Sequence, residues 1–148
     1  MRPYLLCMEI SNRQKIKKID MQRIRKYLNQ IFSYLMMEEK KASFVFCDNQ
    51  FIAELNYNYF RKNTATDVIS FSLADDMEPN YLGEVVISVE EAVLTAKGLK
   101  LNWQKELLLY AIHGILHLIG FKDKTSKQRK EMEQKQQEIF SKFKKIKL

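Results

Sequence analysis

Apolar residues fall along this chain in short blocks, some with the two-residue period of a strand and some with the 3.6-residue period of a helix. Residues 4–10 (YLLCMEI) form an apolar run that predicts a buried strand. A basic connector follows over residues 11–19. Asp20 is then a suitable N-cap, and Ile24, Leu28, Ile31, Phe32 and Leu35 lay an apolar stripe along a helix reaching about residue 37. Residues 42–48 (ASFVFCD) predict a second strand, which a crossover through that helix sets parallel to the first. Asp48 or Asn49 caps a short helix carrying Phe51, Ile52, Leu55 and Tyr59.

Polar residues 61–66 lead into DVISFSL, a third strand, which the acidic stretch DDMEPN interrupts. LGEVVISV is a fourth strand, and so short a connection makes these two antiparallel neighbours. A helix over residues 89–97 should stop at Gly98. A long apolar helix begins at Asn102 or Trp103 and reaches Ile119. A last, highly polar helix spans about residues 126–143, with Met132, Ile139, Phe140 and Phe143 as its few apolar contacts. Lys142, Lys144, Lys145 and Lys147 then form a basic tail expected to fray. The sum is one α+β domain, a small four-stranded mixed sheet packed with about five helices, without repeat or linker.

At 148 residues the chain is long enough for one proper core. Its apolar share of 46% is ordinary for a globular protein, and no apolar run is long enough to span a membrane. The stretch from Tyr4 to Met8 is too short for a signal-peptide core, so a cytoplasmic protein is expected. Cys7 and Cys47 sit in strand-like stretches, outside any CxxC motif, and are expected as buried free thiols. The net charge of +7 favours a polyanionic partner, nucleic acid first. Lys15, Lys17, Lys18, Arg23, Arg25 and Lys26 form one basic cluster and the tail another. Such runs are ordinarily solvated faces, although RNA phosphates would suit at least one of them.

Chemistry concentrates in HGILHLIGFKD, residues 113–123. His113 and His117 are the chain's two histidines, and one helical turn between them sends both imidazoles from one face. A lone pair of this kind is ordinarily core or surface. Here the helix is apolar nearly all round, so unpartnered imidazoles would be costly. Gly114 costs about 1 kcal/mol against alanine inside a helix, which suggests a close approach there. Gly120 can take the left-handed conformation that ends a helix and turns the chain, bringing Asp123 back as a third ligand. Two histidines and a carboxylate leave a zinc position open, as in catalytic rather than structural sites.

These residues, with LNYNYFRKNTATDVISF from Leu55 and LGEVVIS from Leu82, resemble the YbeY family over nearly the whole chain. The family comprises small metal-dependent endoribonucleases that act in ribosomal RNA maturation and ribosome quality control. Its pattern is HGxLHLxGxxH, and the likeness implies His113 and His117 as the first two ligands of one zinc ion. It also implies a four-stranded mixed sheet under several helices. Asp123 departs from the pattern, standing where the family has histidine. Phe60 departs too, standing where the family usually has an arginine after LNxxY; Arg61 beside it is the candidate to reach the same phosphate. Thr66 and Asp67 match a family segment near the cleft, and Asp67 is the candidate to orient a water or a ligand histidine. Both would equally serve to start and cap a strand.

Zinc lowers the pKa of bound water from about 16 toward 7 and polarises phosphoryl oxygens, which suits phosphodiester hydrolysis. The nucleophile is either that water or the 2′-hydroxyl of the RNA itself. Zinc peptidases share the two-histidine helix, but their HExxH glutamate is replaced here by Gly114. The leading expectation is therefore a zinc-dependent endoribonuclease for single-stranded or ribosomal RNA. A non-catalytic module with a structural metal, docking on ribosomal RNA or small-subunit ribosomal proteins, is the alternative, and a zinc peptidase comes third.

Overall fold

A computed structural model describes residues 8–143 and 145–148. Within them, β1 (Met8–Asn12), α1 (Met21–Tyr34), β2 (Lys41–Cys47), α2 (Asn49–Phe60), β3 (Val68–Ser72), β4 (Tyr81–Ser88), α3 (Val89–Leu99), α4 (Trp103–Leu118) and α5 (Ser126–Phe140) follow in order. The strands make one four-stranded sheet in the order β1-β2-β4-β3. β1, β2 and β4 run parallel, and β3 pairs antiparallel with β4 as its short connection requires. The expected mixed sheet and five helices are all present. Residues 4–7 of the first expected strand, Cys7 among them, lie outside the described residues. No helix among the described residues is long and apolar enough to cross a membrane.

Strand alternation sorts the core into two layers. Phe44 and Phe46 of β2, with Val85 and Ile87 of β4, pack under α1, α3, α4 and α5. Their neighbours Val45, Cys47 and Val86 point to the opposite face, against Ile69 and Ile52 of α2. β2 is thus apolar on both sides, which is why its sequence reads as a continuous run rather than an alternation. α4 lies between the sheet and the helices α3 and α5, with Leu107, Leu108, Ile112, Ile115 and Leu116 fully buried. Each such side chain contributes about 1.5–3 kcal/mol on leaving water, so α4 is a rigid mount.

Three helix ends differ from the sequence pattern. α1 stops at Tyr34 because Met36 turns left-handed (φ 57°) and the Met37 amide donates back to the Phe32 carbonyl at 2.9 Å. α3 runs through Gly98 to Leu99 and is capped by Lys100 in the left-handed conformation (φ 55°), where the Leu101 amide reaches the Ala96 carbonyl at 2.7 Å. Gly98 is exposed with open space around it, so no conformational demand stops the helix there. α5 ends at Phe140, short of residue 143. The described part of the tail is docked rather than frayed. Ile146 is 3% exposed, and the Leu148 amide donates to Gln104 at the head of α4. Cys47 is buried, as expected.

Candidate metal centre and its cleft

The last two turns of α4 carry His113 and His117 on one face, their rings in edge contact with centroids 4.7 Å apart. Nε2 of one stands 3.1 Å from Nε2 of the other. Gly120 (φ 107°) then reverses the chain, and the Phe121 amide closes onto the Leu116 carbonyl at 3.0 Å. That reversal returns Asp123, whose Oδ2 lies 3.4 Å from His117 Nε2. One ligand atom from each of the three lies within 4.8 Å of the others. The sequence-expected side chains are brought together.

The ring partners favour one tautomer of each histidine. His113 Nδ1 faces Oε1 of Gln136 at 2.9 Å, and His117 Nδ1 faces the Phe121 carbonyl oxygen at 3.1 Å. An oxygen at each position accepts, which favours the proton on Nδ1 and leaves the Nε2 lone pairs for an ion. Two lone pairs 3.1 Å apart, with a carboxylate beside them, repel unless a cation lies between. Ligand atoms held by one zinc at about 2.0–2.1 Å stand about 3.3 Å from one another. The two separations at His117 Nε2 bracket that spacing, and the three ligand atoms together lie within 4.8 Å. Two neutral imidazoles and a carboxylate therefore fit a transition-metal ion, with a face still open.

The loop carrying Asp123 is fastened to α5. Arg129 donates to the carbonyls of Asp123 and Lys124 at 3.2 and 3.0 Å. Thr125 and Gln128 close a capping box at the helix start. Gly114 lies where α4 comes closest to the sheet. A Cβ there would run into Val85, with Ser70 and Val68 also too near, and the Ser70 hydroxyl donates to the Gly114 carbonyl at 2.9 Å. The close approach suggested by that glycine is real: it lets β3 sit directly beside the histidines.

Between β3, the α2–β3 connection and the metal-site loop lies an open cleft of about 750 Å³. His117, Asp123, Lys124, Lys62, Phe60 and Thr66 are among its walls. Arg61 is not. It caps α2 in the left-handed conformation (φ 56°), and its guanidinium lies over the Tyr57 ring, 5.5 Å from the centroid. The cation this segment sends into the cleft is Lys62. Asp67 does not orient a histidine either: its Oδ1 accepts from the Val68 amide at 2.8 Å and from the Thr66 hydroxyl at 3.2 Å, holding the start of β3. The orienting groups are Gln136 and the Phe121 carbonyl, which sequence reading missed. One signal was present, since Gln136 stands one turn after buried Met132, a polar residue in the apolar stripe of α5.

The fold and site together define a class: a small α+β domain whose buried helix presents a His/His/carboxylate cluster able to hold a metal ion. The sequence profile named "Endoribonuclease YbeY" matches residues 9–144, and the chain belongs to that family. A relative of that name from Syntrophus aciditrophicus is 34% identical over 141 residues, covering 91% of this chain and 88% of its own. Another, from Carboxydothermus hydrogenoformans, is 35% identical over 136 residues, covering 90% and 94%. The fold is similar to the solution structure of a Thermotoga maritima protein, with a TM-score of 0.64, 23% identity and coverage of 93% and 92%.

Proposed function

We propose that this protein is a metal-dependent endoribonuclease that cuts single-stranded RNA during ribosomal RNA maturation and ribosome quality control in the cytoplasm. His113, His117 and Asp123 hold one divalent ion in this reading, and zinc suits the nitrogen-rich ligand set best. The observation that carries it is the pair of facing Nε2 lone pairs, 3.1 Å apart beside a carboxylate. A bound ion supplies Lewis-acid stabilisation of charge developing on a phosphodiester.

The chain's own groups do the rest. Gln136 and the Phe121 carbonyl keep both imidazoles in the ligating tautomer. Lys62 and Lys124 hold the substrate's phosphates at the cleft, beside the Thr66 hydroxyl. Asp123 is the sole carboxylate among the cleft-lining residues, so no second acidic group competes with the phosphate charge. The position after His113, where a peptidase of the HExxH kind has its glutamate base, is Gly114, packed against Val85.

The test is cleavage of a single-stranded RNA by purified protein with and without chelator, beside His117→Ala. Chelator and substitution should each abolish cleavage while the circular dichroism spectrum stays unchanged. Cleavage by His117→Ala at the wild-type rate would overturn the assignment. A metal-loaded protein that binds RNA or small-subunit ribosomal proteins without cutting would point to a structural metal instead.

A further inference from the structure

Phe60 is the last residue of α2 and is 49% exposed. Its ring lies nearly parallel to that of Phe71 on β3, with an interplanar angle of 15° and centroids 6.2 Å apart. Tyr59 packs tilted on Phe71, 5.0 Å between centroids, so Phe71 is gripped by two rings. Phe60 is therefore backed by a fixed aromatic layer, and it lines the same cleft as His117 and Asp123. Single exposed apolar side chains are ordinary on protein surfaces. This one is distinguished by its aromatic backing and by two cations, Lys62 and Lys124, that line the same cleft.

We propose that Phe60 is a stacking platform for one unpaired nucleobase of the RNA substrate, an inference that rests on the endoribonuclease reading above. An aromatic face and a cation two residues apart match the alternation of base and phosphate along a single strand. The left-handed turn at Arg61 produces that spacing, and with Arg61 engaged on Tyr57, Phe60 and Lys62 are the two of residues 60–62 that line the cleft. Stacking is tolerant of base identity, so the platform selects an unstacked strand over a duplex rather than one sequence over another.

The experiment uses the full metal-loaded chain and a short single-stranded oligoribonucleotide carrying 2-aminopurine. Binding is read from the stopped-flow fluorescence amplitude before turnover. Wild type should quench the fluorophore. Phe60→Ala should lose the quenching and weaken binding about 10-fold, whereas Phe60→Trp, which keeps a stacking face, should keep both quenching and affinity. An oligonucleotide with abasic sites should bind wild type and Phe60→Ala alike. Wild-type affinity with quenching intact in Phe60→Ala, or full affinity in Phe60→Leu, would overturn the platform while leaving cleavage and its His117 dependence standing. A wild-type protein that neither binds nor cuts the RNA would overturn both readings. Preference of the cleft for an apolar peptide over RNA would do the same.

Discussion

The side-chain oxygen of Gln136 accepts the Nδ1 proton of His113 at 2.9 Å across the interface of α5 with α4. This one bond sets which nitrogen of His113 is free for an ion. Groups in this position typically account for 10- to 100-fold in metal affinity. Gln136→Ala should therefore weaken metal binding by about that factor, read by competition with a chromophoric chelator, while Gln136→Glu, which keeps an acceptor, should retain most of it. Unchanged affinity in Gln136→Ala would show that packing alone orients the ring.

Asp123 makes a second prediction, because its carboxylate is half exposed and reaches His117 only through the turn at Gly120. Elemental analysis of the purified wild type should give one metal per chain, and Asp123→Ala should lose it on dialysis against chelator. Asp123→His restores the histidine of the family pattern and should keep the ion. Retention of metal by Asp123→Ala would remove this residue from the ligand set.

Gly114→Ala separates local propensity from packing. Alanine gains about 1 kcal/mol in a helix interior. The new methyl meets Val85 and crowds Ser70 and Val68, and forcing one into a packed core costs typically about 1–3 kcal/mol. A net loss of up to about 2 kcal/mol is expected, seen as a melting temperature lower by up to roughly 8 °C for a chain of this size. A rise in melting temperature would mean that α4 can lift from the sheet.

Much of this site was legible in the sequence because its parts are local. The four-residue spacing of the histidines, the glycine that breaks the helix and the carboxylate three residues beyond all lie on one continuous segment. Helix start signals were legible for the same reason: Asp20, Asp48, Asn102 and their hydrogen bonds are satisfied within one turn. What escaped depends on packing between distant segments. Gln136 reaches His113 only because α5 folds back on α4, and Asp67 turns to its own strand rather than to the rings. The tail was expected to fray because its lysines dominate the pattern, whereas Ile146 and Leu148 dock it against the core.

Alkaline stability follows from two buried acids. Burial, and then the neighbouring Asp48, push the Cys47 thiol up to about 12 from an ordinary value of 9.0. Burial likewise lifts Tyr110 from 10.0 to about 12, with the carboxylates of Glu106, Asp67 and Glu91 adding to it against an opposing hydrogen bond from Thr95. Between pH 9 and 12 the unfolded chain releases protons that the folded chain keeps, so stability falls as pH rises through that window. The slope is at most about 1.4 kcal/mol per pH unit for each group. Denaturant melts at pH 8, 10 and 11 should give successively lower midpoints (the pH values are chosen about the ordinary thiol and phenol range), and Cys47→Ala should flatten the lower part of the curve. Midpoints independent of pH would contradict the burial of these groups.

The loop that delivers Asp123 is tied to α5 by Arg129 and the Thr125–Gln128 pair, and α5 also supplies Gln136. Capture of an ion at the proposed site would consequently be coupled to the seating of this carboxy-terminal helix. Stripping the ion should raise amide hydrogen exchange first along α5 and the 120–125 turn, leaving β2 and β4 protected. The cell's supply of divalent metal would then govern how firmly α5 and the turn before it hold to the rest of the domain.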